Sequence, residues 1–184
     1  MKTQIKSTHF VCGVFVLISV ISLAHTSVPL NSTDKSFLME AARGGLAEAK
    51  LGKLASEQGK DDVVNELGWQ ILEDYTDANG SLKKIAKNKG VTLPSRMDAK
   101  STALYARLSK LHGTAFDSAY IKAIEDDAAR MSKAFQTEAD EGKDAAVKAF
   151  AKRILTLIKA QQEWIATIAS LPHAPSASSP KDTK

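Results

Sequence analysis

Four polar residues of this chain stand on helical stripes that are otherwise apolar: Glu48, Tyr75, Asp127 and Gln161. Two carboxylates, a phenol and an amide meeting in one core can do one of two things. They can act as oxygen ligands for a hard cation such as manganese, iron or calcium. Or they can satisfy one another, with the Tyr75 hydroxyl and the Gln161 amide donating to the two carboxylates. Left buried and unpaired, each group would cost on the order of 1–3 kcal/mol. The mutual network is the preferred reading, because buried polar groups are paired far more often than they are catalytic. A di-iron or di-manganese bundle needs about four carboxylates with two histidines in Glu-x-x-His pairs. The chain has no such pair, and beyond its first residues it offers only His25, His112 and His173. Asp74 and Asp126, beside the stripes, read as solvated charges. Ser, His and Asp occur without the surroundings of a hydrolase triad, and no Gly-rich phosphate loop follows a strand. Neither a catalytic residue nor a cofactor-binding residue is predicted.

The elements that must position these groups all read as helices. A first helix spans Asp34 to about Gln58, with Ser32, Thr33 and Asp34 as N-cap candidates and Phe37, Ala41, Gly44, Glu48, Leu51 and Ala55 inward. Gly44, Gly45 and Gly52 weaken it, and their use would be to let another helix approach closely. A second runs from Asp61 to about Asn88, with Val64, Leu67, Ile71, Tyr75, Ala78, Leu82 and Ile85 inward. A loop with Gly90 and Pro94 leads to a short helix from Met97 to about Leu111. Thr114 to Asp117 resembles a capping box, opening a helix to about Asp140 with Phe116, Tyr120, Ile124, Asp127, Met131, Ala134 and Glu138 inward. The last spans Lys143 to about Ser170, with Val147, Phe150, Ile154, Leu157, Gln161, Trp164 and Ile168 inward. Trp69 and Trp164 read as core or groove-edge residues. No internal repeat is evident. Two tight links and one long connection predict an all-α, ferritin-like four-helix bundle with a short extra helix in the central crossover.

The flanks predict export. Lys2 and Lys6 precede an apolar run, Phe10 to Ala24, that ends in Ser22-Leu23-Ala24, so residues 1–24 read as a signal peptide. The run is short beside the about 20 residues of a spanning helix. Residues 25–33 form a lead-in, 34–171 the bundle, and 172–184 a disordered tail rich in Ser, Pro and Ala. Removing Lys2 and Lys6 lowers the balance from 25 Lys plus Arg against 21 acids to 23 against 21, which argues against nucleic acid as a partner. The single cysteine, Cys12, leaves with the signal, so the core alone must hold the fold.

Several motifs resemble a known family. Phe37-Leu38, Ala41-Ala42, Gly44-Gly45, Glu48 and Leu51 to Ala55 are similar to the opening helix of the domain-of-unknown-function family 4142. Glu73 to Asn79 is similar to its second-helix motif, and Gly90, Leu93-Pro94, Leu108, Gly113, Phe116-Asp117, Tyr120 and Phe150-Ala151 continue the match. These are secreted ferritin-like bacterial proteins, often labelled predicted outer-membrane proteins, and the family name carries no activity. Where the family usually has histidines, this chain has Tyr75, Asp127 and Gln161, while Glu48 remains. The resemblance therefore implies an exported bundle of the periplasm or outer envelope whose metal ligand set is incomplete. The expected role is non-enzymatic, with an envelope protein or the membrane surface as partner. A carboxylate metal-binding or redox protein is the alternative.

Overall fold

A computed structural model describes residues 30–170, and the predicted signal peptide and tail lie outside them. Five helices follow one another: α1 (Ser32–Gln58), α2 (Asp62–Asn88), α3 (Ala99–Leu108), α4 (Gly113–Glu141) and α5 (Ala145–Ser170). No strand occurs among the described residues. The four long helices form the bundle, and α3 lies in the crossover against α1 and α4.

The caps differ from expectation at two starts. Asn31, not Ser32 to Asp34, caps α1, its side chain accepting from the Asp34 amide at 2.8 Å. His112 precedes α4 without a side-chain cap, and Gly113 takes a positive φ of 61° there. Asp34 and Asp117 are thereby free for long-range work. Asp117, buried, accepts from the Lys60 and Asp61 amides at 2.9 and 3.1 Å, closing the α1–α2 turn. Asp34, also buried, accepts from the Lys143 and Asp144 amides, the latter at 2.7 Å, closing the α4–α5 turn.

These contacts fix the topology. The α1–α2 turn meets the start of α4, and the α4–α5 turn meets the start of α1, so two antiparallel hairpins pack head to tail with α1 antiparallel to α4. They also expose a correspondence the sequence reading missed. Asp34 and Asp117, Gly59-Lys60-Asp61 and Gly142-Lys143-Asp144, and Val64 and Val147 all stand at the same separation along the chain. Each hairpin thus opens on a buried Asp and turns at a Gly-Lys-Asp at matching positions.

Within the first hairpin the helices touch through backbone. A Cβ at Gly52 would lie 2.7 Å from the Gly68 carbonyl oxygen, and one at Gly68 would lie 2.6 Å from the Ser56 amide nitrogen. Gly45 makes room for Asn79, whose amide donates to the Gly45 carbonyl at 2.9 Å. Gly44, by contrast, meets only ordinary contact with Met131. In the second hairpin, aromatic rings fill the space: Phe135 packs edge-on to Phe37 and tilted to Phe150, with ring centroids 4.9 and 6.3 Å apart. Phe135 rather than Ala134, and Ala128 rather than Asp127, face inward from α4. Trp69 is no core residue: it is 49% exposed.

Candidate functional site

Halfway along the bundle, α1 places Glu48 in the core with no exposed surface. Its position follows from spacing, since Glu48 continues the stripe from Phe37 and Ala41 towards Leu51 and Ala55, all buried. Tyr75 of α2 and Tyr120 of α4 are buried around it. Asp127 sits at the edge of α4's inner face, its side chain 19% exposed, and accepts from Arg130 Nε at 3.0 Å and Nη2 at 2.5 Å. Asp127 is close enough to act electrostatically on the Glu48 carboxyl, although neither Glu48 oxygen has a hydrogen-bond partner.

The electrostatics assign the proton. Burial first, and then the neighbouring Asp127, push the Glu48 carboxyl well above the ordinary carboxylate range, with Arg130 pulling the other way. Burial thus favours the protonated form of Glu48, while Asp127 pairs with Arg130. Glu48 lies at the centre of the core, and Asp127, nearer the surface, ends on the protein's own cation, Arg130. Burial, then the nearby Glu48, also pushes the Tyr75 and Tyr120 hydroxyls well above their ordinary range, so both are neutral phenols.

The remaining polar groups do not close the predicted network. The Tyr75 hydroxyl points at the Met131 sulfur, 3.9 Å away, and not at a carboxylate. Glu48 Oε1 and Oε2, the Tyr120 hydroxyl and Gln161 Nε2 have no hydrogen-bond partner. Gln161 is buried on α5, but no hydrogen bond joins it to the group. Sequence reasoning missed Arg130, which is invisible as a stripe residue because only its reach back to Asp127 brings it in. It passed over Tyr120 as an apolar stripe member.

A dimetal centre of the kind used in carboxylate bundles does not fit these donors. Among the described residues no group of three or more His, Cys, Asp or Glu is placed to hold a metal ion. Burial disfavours the charged form of Glu48, and Asp127 already holds a guanidinium.

A second carboxyl pair lies at the end of the bundle. Glu138 of α4 is buried beside Asp34, and burial first, then the Asp34 charge and hydrogen bond, raise its carboxyl to about 7. Burial opposes charge on Asp34 too, but the Lys143 and Asp144 amides hold it below the ordinary range. Lys89, after α2, pairs with Asp144 and ties the second helix to the same turn.

Comparison with known proteins agrees with this architecture. A family model described as Domain of unknown function (DUF4142) matches residues 22–168. The chain is similar to the crystal structure of a DUF305 fragment from Deinococcus radiodurans, with a TM-score of 0.69 and 11% identity, over 77% of this chain and 97% of that one. At that identity the likeness speaks for the helical fold alone. No curated protein matches the chain.

Proposed function

The chain belongs to the DUF4142 family, and from that premise we propose that it is an exported, non-enzymatic helical bundle acting by binding in the periplasm or at the outer envelope. The apolar run before residue 25 supports export. The single observation that carries the non-enzymatic reading is the pairing of Asp127 with Arg130: the carboxylate nearest the surface already holds the protein's own cation. Its role is to let a polar centre be buried in an otherwise apolar bundle.

A second reading, a carboxylate metal or redox site, draws on one feature. Both Glu48 oxygens, the Tyr120 hydroxyl and Gln161 Nε2 are buried without a partner, and a hard cation such as manganese or iron could take the carboxylate oxygens if Arg130 swung out. Elemental analysis separates the two. The protein is purified from its compartment without chelators, beside a Glu48→Ala/Asp127→Ala control. No stoichiometric metal in either sample is expected. Near-stoichiometric manganese or iron that disappears in the control would overturn the closed-core reading. Recovery of the protein in the cytoplasmic fraction with its first residues intact would overturn export.

A further inference from the structure

Where α1 and α2 diverge from their contact at Gly52 and Gly68, a groove of about 490 Å³ opens between them and the loop that follows α2. Its floor and walls are apolar: Ala42 and Leu46 from α1, Leu82 and Ala86 from α2, and Val91, Leu93 and Pro94 from the loop. Leu82 and Ala86 belong to the buried core, so the floor is rigid. Leu46 is only partly buried and stands in the groove wall. Lys83 and Lys87, one helical turn apart and both exposed, overhang one edge. No ion pair occupies either of them among the described residues, whereas Lys89 nearby is paired with Asp144. Asn79 and Ser95 are the other polar groups of the lining.

We propose that this groove binds a free anionic amphiphile, a single alkyl chain carrying a carboxylate, with the chain along Leu46, Leu82 and Leu93 and the head group at Lys83 and Lys87. Charge complementarity selects the head: two unpaired ammonium groups at the rim of an apolar trough attract an anion and repel a cation. Size selects a small molecule over a protein. The volume falls within the roughly 300–1,000 Å³ of small-ligand sites, while a stable protein partner would need about 800 Å² of surface on each side. The ligand class deepens the binding reading above and rests on it.

Isothermal titration calorimetry tests the proposal with the protein purified as the cell processes it. Dodecanoate, dodecyltrimethylammonium and acetate are titrated below their micellar concentrations. Dodecanoate is expected to bind one to one, with an affinity on the order of 1–10 μM. The cationic amphiphile should bind at least about tenfold more weakly, and acetate not measurably. Leu46→Glu, outside the core, and the double variant Lys83→Glu/Lys87→Glu should each weaken dodecanoate by about tenfold or more while keeping the helical signal and melting temperature. Equal binding of the two amphiphiles, or binding that survives both variants, would overturn the site. So would absence of dodecanoate binding together with sedimentation on phosphatidylglycerol vesicles, which would make the membrane surface the occupant. Any of these failures, with export and metal content as expected, sinks the ligand class alone. Cytoplasmic recovery or a bound metal sinks the reading beneath it.

Discussion

Asp34 in the first hairpin and Asp117 in the second stand at matching positions, and each accepts the turn amides just before the last helix of the opposite hairpin. Each carboxylate sits at a helix N-terminus, where the exposed N–H groups and the helix dipole favour negative charge. Hydrogen bonds to a charged group contribute about 1.5–3 kcal/mol each, so Asp34→Ala and Asp117→Ala should each destabilise by roughly 2–4 kcal/mol. The sites lie at opposite ends of the bundle and share no partner, so the double variant should be additive within about 0.5 kcal/mol. Urea unfolding of the three variants checks this. A loss below about 0.5 kcal/mol for either single variant would show that water replaces the carboxylate without cost.

The Glu138 carboxyl gives the fold a pH dependence of definite sign. Its folded value of about 7 lies above its unfolded value of 4.5, so between those pH values the native state holds a proton the unfolded state has lost. The stabilising contribution is complete below pH 4.5 and is lost as pH rises through 7. Asp34 and Asp144, held below the ordinary range, act in the opposite sense and lose their contribution only as pH falls through the acid range. The melting temperature should therefore be higher near pH 5.5 than near pH 8. Glu138→Gln, which keeps a donor towards Asp34, should flatten that slope and raise stability at pH 8. A slope unchanged in this variant would assign the titration elsewhere.

The core carboxyl is expected to be neutral, and this has a simple signature. Glu48→Gln keeps the shape of an uncharged carboxyl without its titration, so it should change stability by less than about 1 kcal/mol at pH 7. Tyr120→Phe removes a hydroxyl without a partner and should be neutral or slightly stabilising. Thermal melts of both variants suffice. A loss of about 2 kcal/mol or more in Tyr120→Phe would mean that the hydroxyl holds something in solution.

The glycine contact between α1 and α2 leaves no room for a methyl group. Gly68→Ala and Gly52→Ala should cost about 1–3 kcal/mol each through overpacking, despite alanine's better helix propensity. Gly80→Ala is the control: nothing lies within 4 Å of a Cβ there, and the substitution should stabilise α2 by up to about 1 kcal/mol. Chemical denaturation of all three gives the comparison, and equal effects at Gly68 and Gly80 would rule out close packing.

The helices of this chain were legible because their signals are local. Phe37 to Ala55 and Val64 to Leu82 keep a steady apolar spacing, and Gly59, Gly142 and the Gly90–Pro94 loop mark the breaks. In α4 the stripe drifted at Asp127 and Ala134. Each of these has an apolar neighbour, Ala128 or Phe135, that a step of three or four reaches equally well, and only the ring packing against Phe37 and Phe150 decides. The candidate site was legible as a list and not as a network. Glu48 and Tyr75 are buried together as the stripes imply, but the partner of Asp127 is an exposed arginine on its own helix. The roles of Asp34 and Asp117 depend on contacts between distant parts of the chain, where each residue looks by itself like an ordinary helix-start acid.

The glycine seam also divides the molecule in a second sense. The positions equivalent to Gly52 and Gly68 in the other hairpin are Phe135 and Ala151, so one half is locked by main chain against main chain and the other by side chains that can change rotamer. Rigidity should follow that division. Backbone amides flanking Gly52 and Gly68 should be among the slowest to exchange with deuterium, and those around Phe135 should exchange sooner. The two hairpins should thus differ, one stiffer and one more plastic. The groove beneath Lys83 and Lys87 lies in the hairpin expected to be the stiffer, so its shape should change little when a ligand enters it.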